Sequence, residues 1–273
     1  MPETAETGET AETAGRGGAG TRDALDDPDV ALFARMRWNA PLSAEHADLL
    51  LDRMSLGPGQ AIADLGCGWG ELLMRAVARA GPGAVGTGID IDEAPAVIDV
   101  SAPVEVLPEA RDEAARRRLD VQFIKTDVSG WRGTADRVLC VGASHAFGGT
   151  AAALRALAGH VPPGGRLLFG DCFWAQPPSR EAVGLFGEET MPLPDLMEAC
   201  RAEGWRVIHL STASQLEWDD YESSFRAGRQ EWLLASPGHP RAAGIRDWID
   251  ARERQYLTVY REVLGFAYLV LAH

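Results

Sequence analysis

Ile62-Ala63-Asp64-Leu65-Gly66-Cys67-Gly68-Trp69-Gly70-Glu71 joins an apolar run to a helical pattern through three alternate glycines. Glycine supplies dihedrals that side chains resist, and it lets the backbone approach a ligand. A bare G-x-G-x-G is weak evidence, so its context matters. Ala61 to Leu65 reads as a buried strand and Glu71 to Ala80 as the helix that follows. The pattern repeats. Ala84 to Ile89 forms a second strand ending at Asp90, and Val104 to Arg118 a helix. Val121 to Lys125 is a third strand ending at Asp127, and Arg137 to Gly142 a fourth. Ala151 to His160 is helical, and Arg166 to Gly170 is a fifth strand. Short apolar runs alternating with helices predict an α/β fold: a doubly wound, mostly parallel sheet with helices on both faces.

The flanks add detail. Residues 1–24 are rich in Glu, Thr, Gly and Ala and are expected to be a disordered tail, leaving 25–273 as one domain. A short helical segment spans Pro28 to Met36, and Ser43 caps a helix with an apolar stripe at Leu49, Leu50 and Met54. Near the end, Leu193 to Glu203 reads as a helix, Trp205 to Ser211 as a strand and Gly265 to Leu271 as a final strand. Between the last two strands, residues 215–263 carry helical patterning and are too long for an ordinary connection. They are expected to form a helical cap inserted before the last strand.

In a doubly wound sheet the strand ends gather at one crevice. Asp64, Asp90 and Asp127 then become candidate ligand groups: one for a ribose diol, another for a cationic amino group or an adenine amine. A nicotinamide dinucleotide would use the first two but prefers G-x-G-x-x-G and a helix start left free for pyrophosphate. Here Glu71 follows the turn directly, and its carboxylate suits a cofactor without phosphate.

Asp64-Leu65-Gly66-Cys67-Gly68-Trp69-Gly70 resembles the first motif of the class I S-adenosylmethionine (SAM)-dependent methyltransferases, and residues 61–171 resemble that family's core. The resemblance implies a Rossmann-like fold, SAM as cofactor and methyl transfer to nitrogen or oxygen of a small-molecule acceptor. It implies that Gly66, Cys67, Gly68 and Gly70 pass beneath the methionine part, with Asp64 beside them. Asp90 with Ile91 would hold the ribose, Asp127 with Val128 would lie by the adenine, and Gly142, after the fourth strand, would be a further cofactor contact. The stretch from Asp92-Glu93 to Pro103 is longer than the family's usual link, which makes Asp92 an alternative ribose ligand. The same fold also hosts SAM-using enzymes of other chemistry, such as cyclases.

The resemblance places the acceptor at the end of the fourth strand, in Gly142-Ala143-Ser144-His145-Ala146-Phe147. His145 is the expected base, since an imidazole takes a proton near neutral pH. Asp171 is the second expected catalytic group. Ser144, Phe147, Trp174 and Trp38 are expected to line the acceptor site, joined from the cap by Trp218, Tyr221 and Tyr256. Arg252 and Tyr256 share a helical face.

Charge and cysteines narrow the partners. Lys and Arg total 26 against 40 Asp and Glu, a formal charge of −14. Such a surface argues against a nucleic-acid partner, and the basic cluster Arg111, Arg116, Arg117, Arg118 reads as a solvated helix face. No long apolar stretch suggests a membrane span and no basic-then-apolar start suggests a leader, so cytoplasm is the expected location. Cys67, Cys140, Cys172 and Cys200 lack metal-ligand spacing, so no metal is expected. A homodimer is left open.

Overall fold

The computed structural model describes residues 27–92 and 105–273. Both the expected tail, 1–24, and the link after Asp92 (93–104) lie outside the described residues.

The chain enters through α1 (Pro28–Ala31) and α2 (Ala44–Arg53), the latter capped as expected by Ser43, whose Oγ accepts from the His46 N–H. The alternating core follows: β1 (Ala61–Leu65), α3 (Glu71–Ala80), β2 (Val85–Asp90), α4 (Leu107–Arg116), β3 (Val121–Lys125), β4 (Arg137–Val141), α5 (Thr150–Ala158) and β5 (Arg166–Trp174). Then come α6 (Arg180–Phe186), α7 (Leu193–Ala202), β6 (Arg206–Thr212), α8 (Gln215–Ala235), α9 (Ala242–Gln255), a π-helical turn at Tyr256–Tyr260 and β7 (Leu264–Ala272). Among the described residues these strands form one seven-stranded sheet ordered β3-β2-β1-β4-β5-β7-β6. The first five run parallel, and β7 lies antiparallel to both β5 and β6.

Successive side chains of a strand face opposite sides, and the core obeys this. Ile62, Leu139, Leu168 and Val270 join the cluster under α2, α3 and α4, with Leu50, Leu73 and Leu107. Ala63, Val138, Leu167 and Leu269 join the cluster under α5 and α7, with Leu154 and Leu196. Both faces are buried, as a parallel sheet requires. Strand order reverses between β1 and β4, which opens a crevice at their carboxyl ends.

Two elements differ from expectation. β5 does not end at Gly170 but runs four residues further, because Asp171 to Trp174 pair with Ala267 to Leu264 of β7. A short helix, α6, occupies a segment given no element, started by Ser179, whose Oγ accepts from the Ala182 N–H. Residues 215–260 are helical in α8, α9 and the π-helical turn, matching the helical pattern read there. They are fastened to the N-terminal segment. Arg229 is buried and donates to the Pro28 carbonyl (3.0 Å) and to Asp29 (3.2 Å), while Arg241 also reaches Asp29 (2.7 Å). Among the described residues no helix is long and apolar enough to cross a membrane.

Candidate functional site

The glycine turn sits at the crevice. Gly66, Gly68 and Gly70 all have positive φ. A Cβ at Gly66 would fall 2.3 Å from the Cβ of Ala143, so the turns leaving β1 and β4 approach too closely there for any side chain. At Gly68 a Cβ would meet nothing within 4 Å: the turn's middle residue faces open space. The backbone forms a cradle. Gly66 and Cys67 donate to the Ile89 carbonyl (2.8 and 3.1 Å), and Gly68 donates to Asp90 Oδ2 (2.8 Å). Asp90 Oδ1 accepts from the Asp92 N–H (2.9 Å). One carboxylate therefore ties the turn to the end of β2, where Ile91 is exposed beside it.

Asp64 is buried, and burial, reinforced by the charge of Asp90, pushes its carboxyl up to about 8. It sits with its proton in a place where a positive ligand group would favour the anion. Burial, with the nearby carboxylates of Asp64 and Asp90, also pushes the Cys67 thiol upward, which fits a contact residue and not a nucleophile.

Asp92 is not free for a ribose. It is buried, and its Oδ1 accepts from the N–H groups of Val106 (2.6 Å) and Leu107 (3.0 Å) at the start of α4. Asp127 is exposed, and hydrogen bonds from the Ser129 hydroxyl and from its N–H (2.7 Å) lower its pKa. Val128 is buried in the core, so its side chain is turned away from solvent. The basic cluster is largely paired: Arg117 meets Glu71 and Glu113 (2.6 Å each), Arg116 meets Glu113, and Arg111 donates to the Phe123 carbonyl (3.1 Å).

A cavity of about 560 Å3 opens at Gly142. Its sheet side carries Ser144, His145, Thr150 and Asp171. Asp171 accepts from the Thr150 hydroxyl (2.7 Å) and the Cys172 N–H (2.9 Å). Burial raises its pKa, opposed by hydrogen bonds from Thr150, Ser144 and Cys172 and by the charge of His145. His145 itself is exposed to the cavity.

The facing wall comes from the helical segment: Trp218, Tyr221, Glu222, Phe225, Arg252 and Tyr260. Glu222 is fully buried and is held by Arg252 Nε (3.0 Å), Arg252 Nη2 (2.7 Å) and the Tyr260 hydroxyl (2.8 Å). The indole Nε1 of Trp218 is buried without a hydrogen-bond partner among the described residues. A buried donor left unpaired costs about 1–3 kcal/mol, so a ligand oxygen at that point would be favoured.

Of the expected acceptor residues, the cavity brings together Ser144, His145, Asp171, Trp218 and Tyr221. Four others lie elsewhere. Trp38 is packed in the core with the Arg75 guanidinium 5.3 Å from its ring centroid, and its neighbours Asn39, Ala40 and Pro41 line the cavity instead. Phe147 packs against the cluster under α5. Trp174 is buried against Phe186 (6.2 Å), and Phe186 takes the cavity position. The Tyr256 hydroxyl donates to Asp219 (2.6 Å), which leaves Tyr260, a turn later, at the wall. Glu222 was missed, although it stands four residues after Trp218 and three before Phe225, the spacing of one helical face.

With this geometry in place, the comparisons decide the family. The family model described as mycolic acid cyclopropane synthetase matches residues 40–183, more than half of the chain. The chain belongs to that family. With it the chain falls among the class I SAM-dependent methyltransferases, in place of the nicotinamide alternative. The uncharacterized protein YjhP of Escherichia coli K12 is 31% identical over 242 residues, covering 86% of this chain and 93% of YjhP. A SAM-dependent methyltransferase from Geobacter sulfurreducens, solved with S-adenosylhomocysteine, is 28% identical with a TM-score of 0.76 and covers 89% of this chain and 96% of its own. A SAM-dependent methyltransferase from Thiobacillus denitrificans, also with S-adenosylhomocysteine, is 29% identical with a TM-score of 0.75, covering 88% and 96%.

Proposed function

We propose that this chain transfers a methyl group from SAM to an oxygen or nitrogen of a compact, polar small molecule. The carrying observation is one cavity that starts at Gly142, beside the glycine turn, and is lined by ionisable groups on both walls. Its volume, about 560 Å3, falls within the usual range for small-molecule sites.

The residues present fit SAM. The positive-φ turn at Gly66 to Gly70 leaves open space over Gly68, and Asp90 stands at the next strand end for the ribose. Asp64 lies within the crevice for a cationic group. Bound there, SAM supplies a methyl already activated by its sulfonium. The protein's share is alignment and exclusion of water. Trp218, Tyr221 and Phe225 shield the cavity, and the Trp218 N–H orients an oxygen of the acceptor. His145 takes the proton of an attacking hydroxyl, or of an ammonium before its amine attacks, and the Asp171 carboxyl lines the same cavity.

The family's name suggests chemistry at the double bond of a long acyl chain. Asp171, Glu222, Arg252 and His145 in the walls would be costly against such a chain, and they favour a polar acceptor. The deciding experiment incubates the full chain with methyl-labelled SAM and sets of amines, phenols, carboxylic acids and unsaturated lipids. Label on oxygen or nitrogen of a small acceptor is expected. Label only on an alkene carbon of a lipid would overturn the proposal.

A further inference from the structure

A second cavity, of about 660 Å3, shares no lining residue with the first and lies between the start of α2, the end of β6 and the start of α8. Its wall holds three residues in line. His46 Nε2 is 2.7 Å from the Ser211 hydroxyl, and His46 Nδ1 is 2.9 Å from Glu217 Oε1. They come from three elements, separated by 165 and 171 residues in sequence, so no local spacing announces them.

We propose that Ser211, His46 and Glu217 form a serine-nucleophile relay that cleaves short, uncharged or cationic carboxylic esters. A nucleophile bonded to a base that is itself oriented by a third group is the arrangement such chemistry needs. The tautomer follows from the partners. Glu217 is opposed by burial, yet hydrogen bonds from His46, Ser214 and Ser43 hold its pKa down at about 2. It is therefore an acceptor only, Nδ1 carries the proton, and Nε2 is free to accept from Ser211. The ring is fixed further by an edge contact with Tyr268, centroids 5.0 Å apart.

The substrate class follows from the walls. Leu42, Leu49 and Leu216 supply an apolar surface, while Glu45, Glu217 and Asp220 repel an anionic acid. The N–H groups of Ser43 and Ser214 are spent on Glu217, so neither is left for an oxyanion. A site short of oxyanion donors suits activated esters with good leaving groups.

The steps balance. Ser211 Oγ bonds to the ester carbon as its proton passes to His46 Nε2. The ester C–O bond breaks, and the alcohol leaves with that proton. Water then gives a proton to His46 and its oxygen to the acyl carbon, and Ser211 Oγ departs, reprotonated. Ester and water yield alcohol and acid.

Glu217 is a positioning residue, and the same three side chains also tie α2, β6 and α8 together. Reactivity separates the two roles, because a merely structural serine is no better a nucleophile than any other. The full chain is treated with a fluorophosphonate probe, labelled peptides are sequenced, and p-nitrophenyl acetate hydrolysis is followed. Ser211 is expected to label at least about a hundredfold faster than the other serines, in line with assistance by a positioned base. S211A should abolish that label and the ester hydrolysis while SAM binding and melting temperature hold. H46Q should slow labelling comparably. Ser211 reacting no faster than exposed serines, or ester hydrolysis unchanged in S211A, would overturn the proposal. Neither result touches the SAM site, whose residues at the 66–70 turn and Asp90 line neither cavity.

Discussion

Asp64 is where burial and charge most alter a single group. Burial and the charge of Asp90 push its carboxyl up to about 8 in the fold, against about 3.9 unfolded. The folded state therefore binds more protons, and this group's effect on stability worsens as pH rises from about 4 to 8. A cationic ligand reverses the preference, so binding expels a proton below that upper value. SAM affinity is expected to rise between about pH 5.5 and 7.5. Calorimetry in two buffers of different ionisation enthalpy should register the released proton. D64N should remove both effects, and a flat pH profile in the wild type would contradict the account. His145 carries a separate expectation. H145A should keep SAM affinity but lose about a hundredfold or more in turnover of the identified acceptor, the usual share of a general base. Turnover near the wild-type rate from pH 6 to 9 would reduce it to a wall residue.

Among the elements, the strands bearing the cofactor crevice were legible because burial on both faces leaves continuous apolar runs ended by glycine or aspartate. Ser43, Gly66 to Gly70, Asp90 and Gly142 could be placed from order alone. The far wall could not. Trp38, Phe147, Trp174 and Tyr256 are large enough to serve as core or as pocket, and a sequence does not say which way each helix is rotated. The extension of β5 was hidden because Asp171 interrupts the apolar run, and only pairing with β7 makes it strand. Glu222 gave no local signal of its role, because its partners Arg252 and Tyr260 lie thirty and thirty-eight residues away. Because Arg252 and Tyr260 are oriented by that buried charge, E222Q should destabilise the protein by about 3 kcal/mol, as expected for a broken buried ion pair. Thermal denaturation measures this, and a change within experimental error would show that the contact is incidental. At the crossing of α1 and α8, a Cβ on Gly228 would lie 1.7 Å from the Ala31 carbonyl oxygen. G228A should therefore cost about 2 kcal/mol by overpacking. An unchanged melting temperature would mean that the crossing is looser than described.

The whole molecule joins two demands. Reversal of strand order between β1 and β4 opens the cofactor crevice, and the turns leaving those two strands pack so closely that Gly66 cannot carry a side chain. The helices inserted before β7 then wall the cavity at Gly142, anchored to the N-terminal segment through Arg229, Arg241 and Asp29. The central claim, SAM held over the 66–70 turn, is tested at Gly68, which alone among the turn's three glycines has nothing within reach of a Cβ. Asparagine tolerates the left-handed conformation, so G68N should fold while filling the space meant for the cofactor. In calorimetric titration of the full chain, the wild type should bind SAM at one site, and G68N should melt within a few degrees of it but lose affinity about a hundredfold or more, a cost of roughly 3 kcal/mol. No SAM binding by the wild type, or equal binding by a folded G68N, would contradict the account.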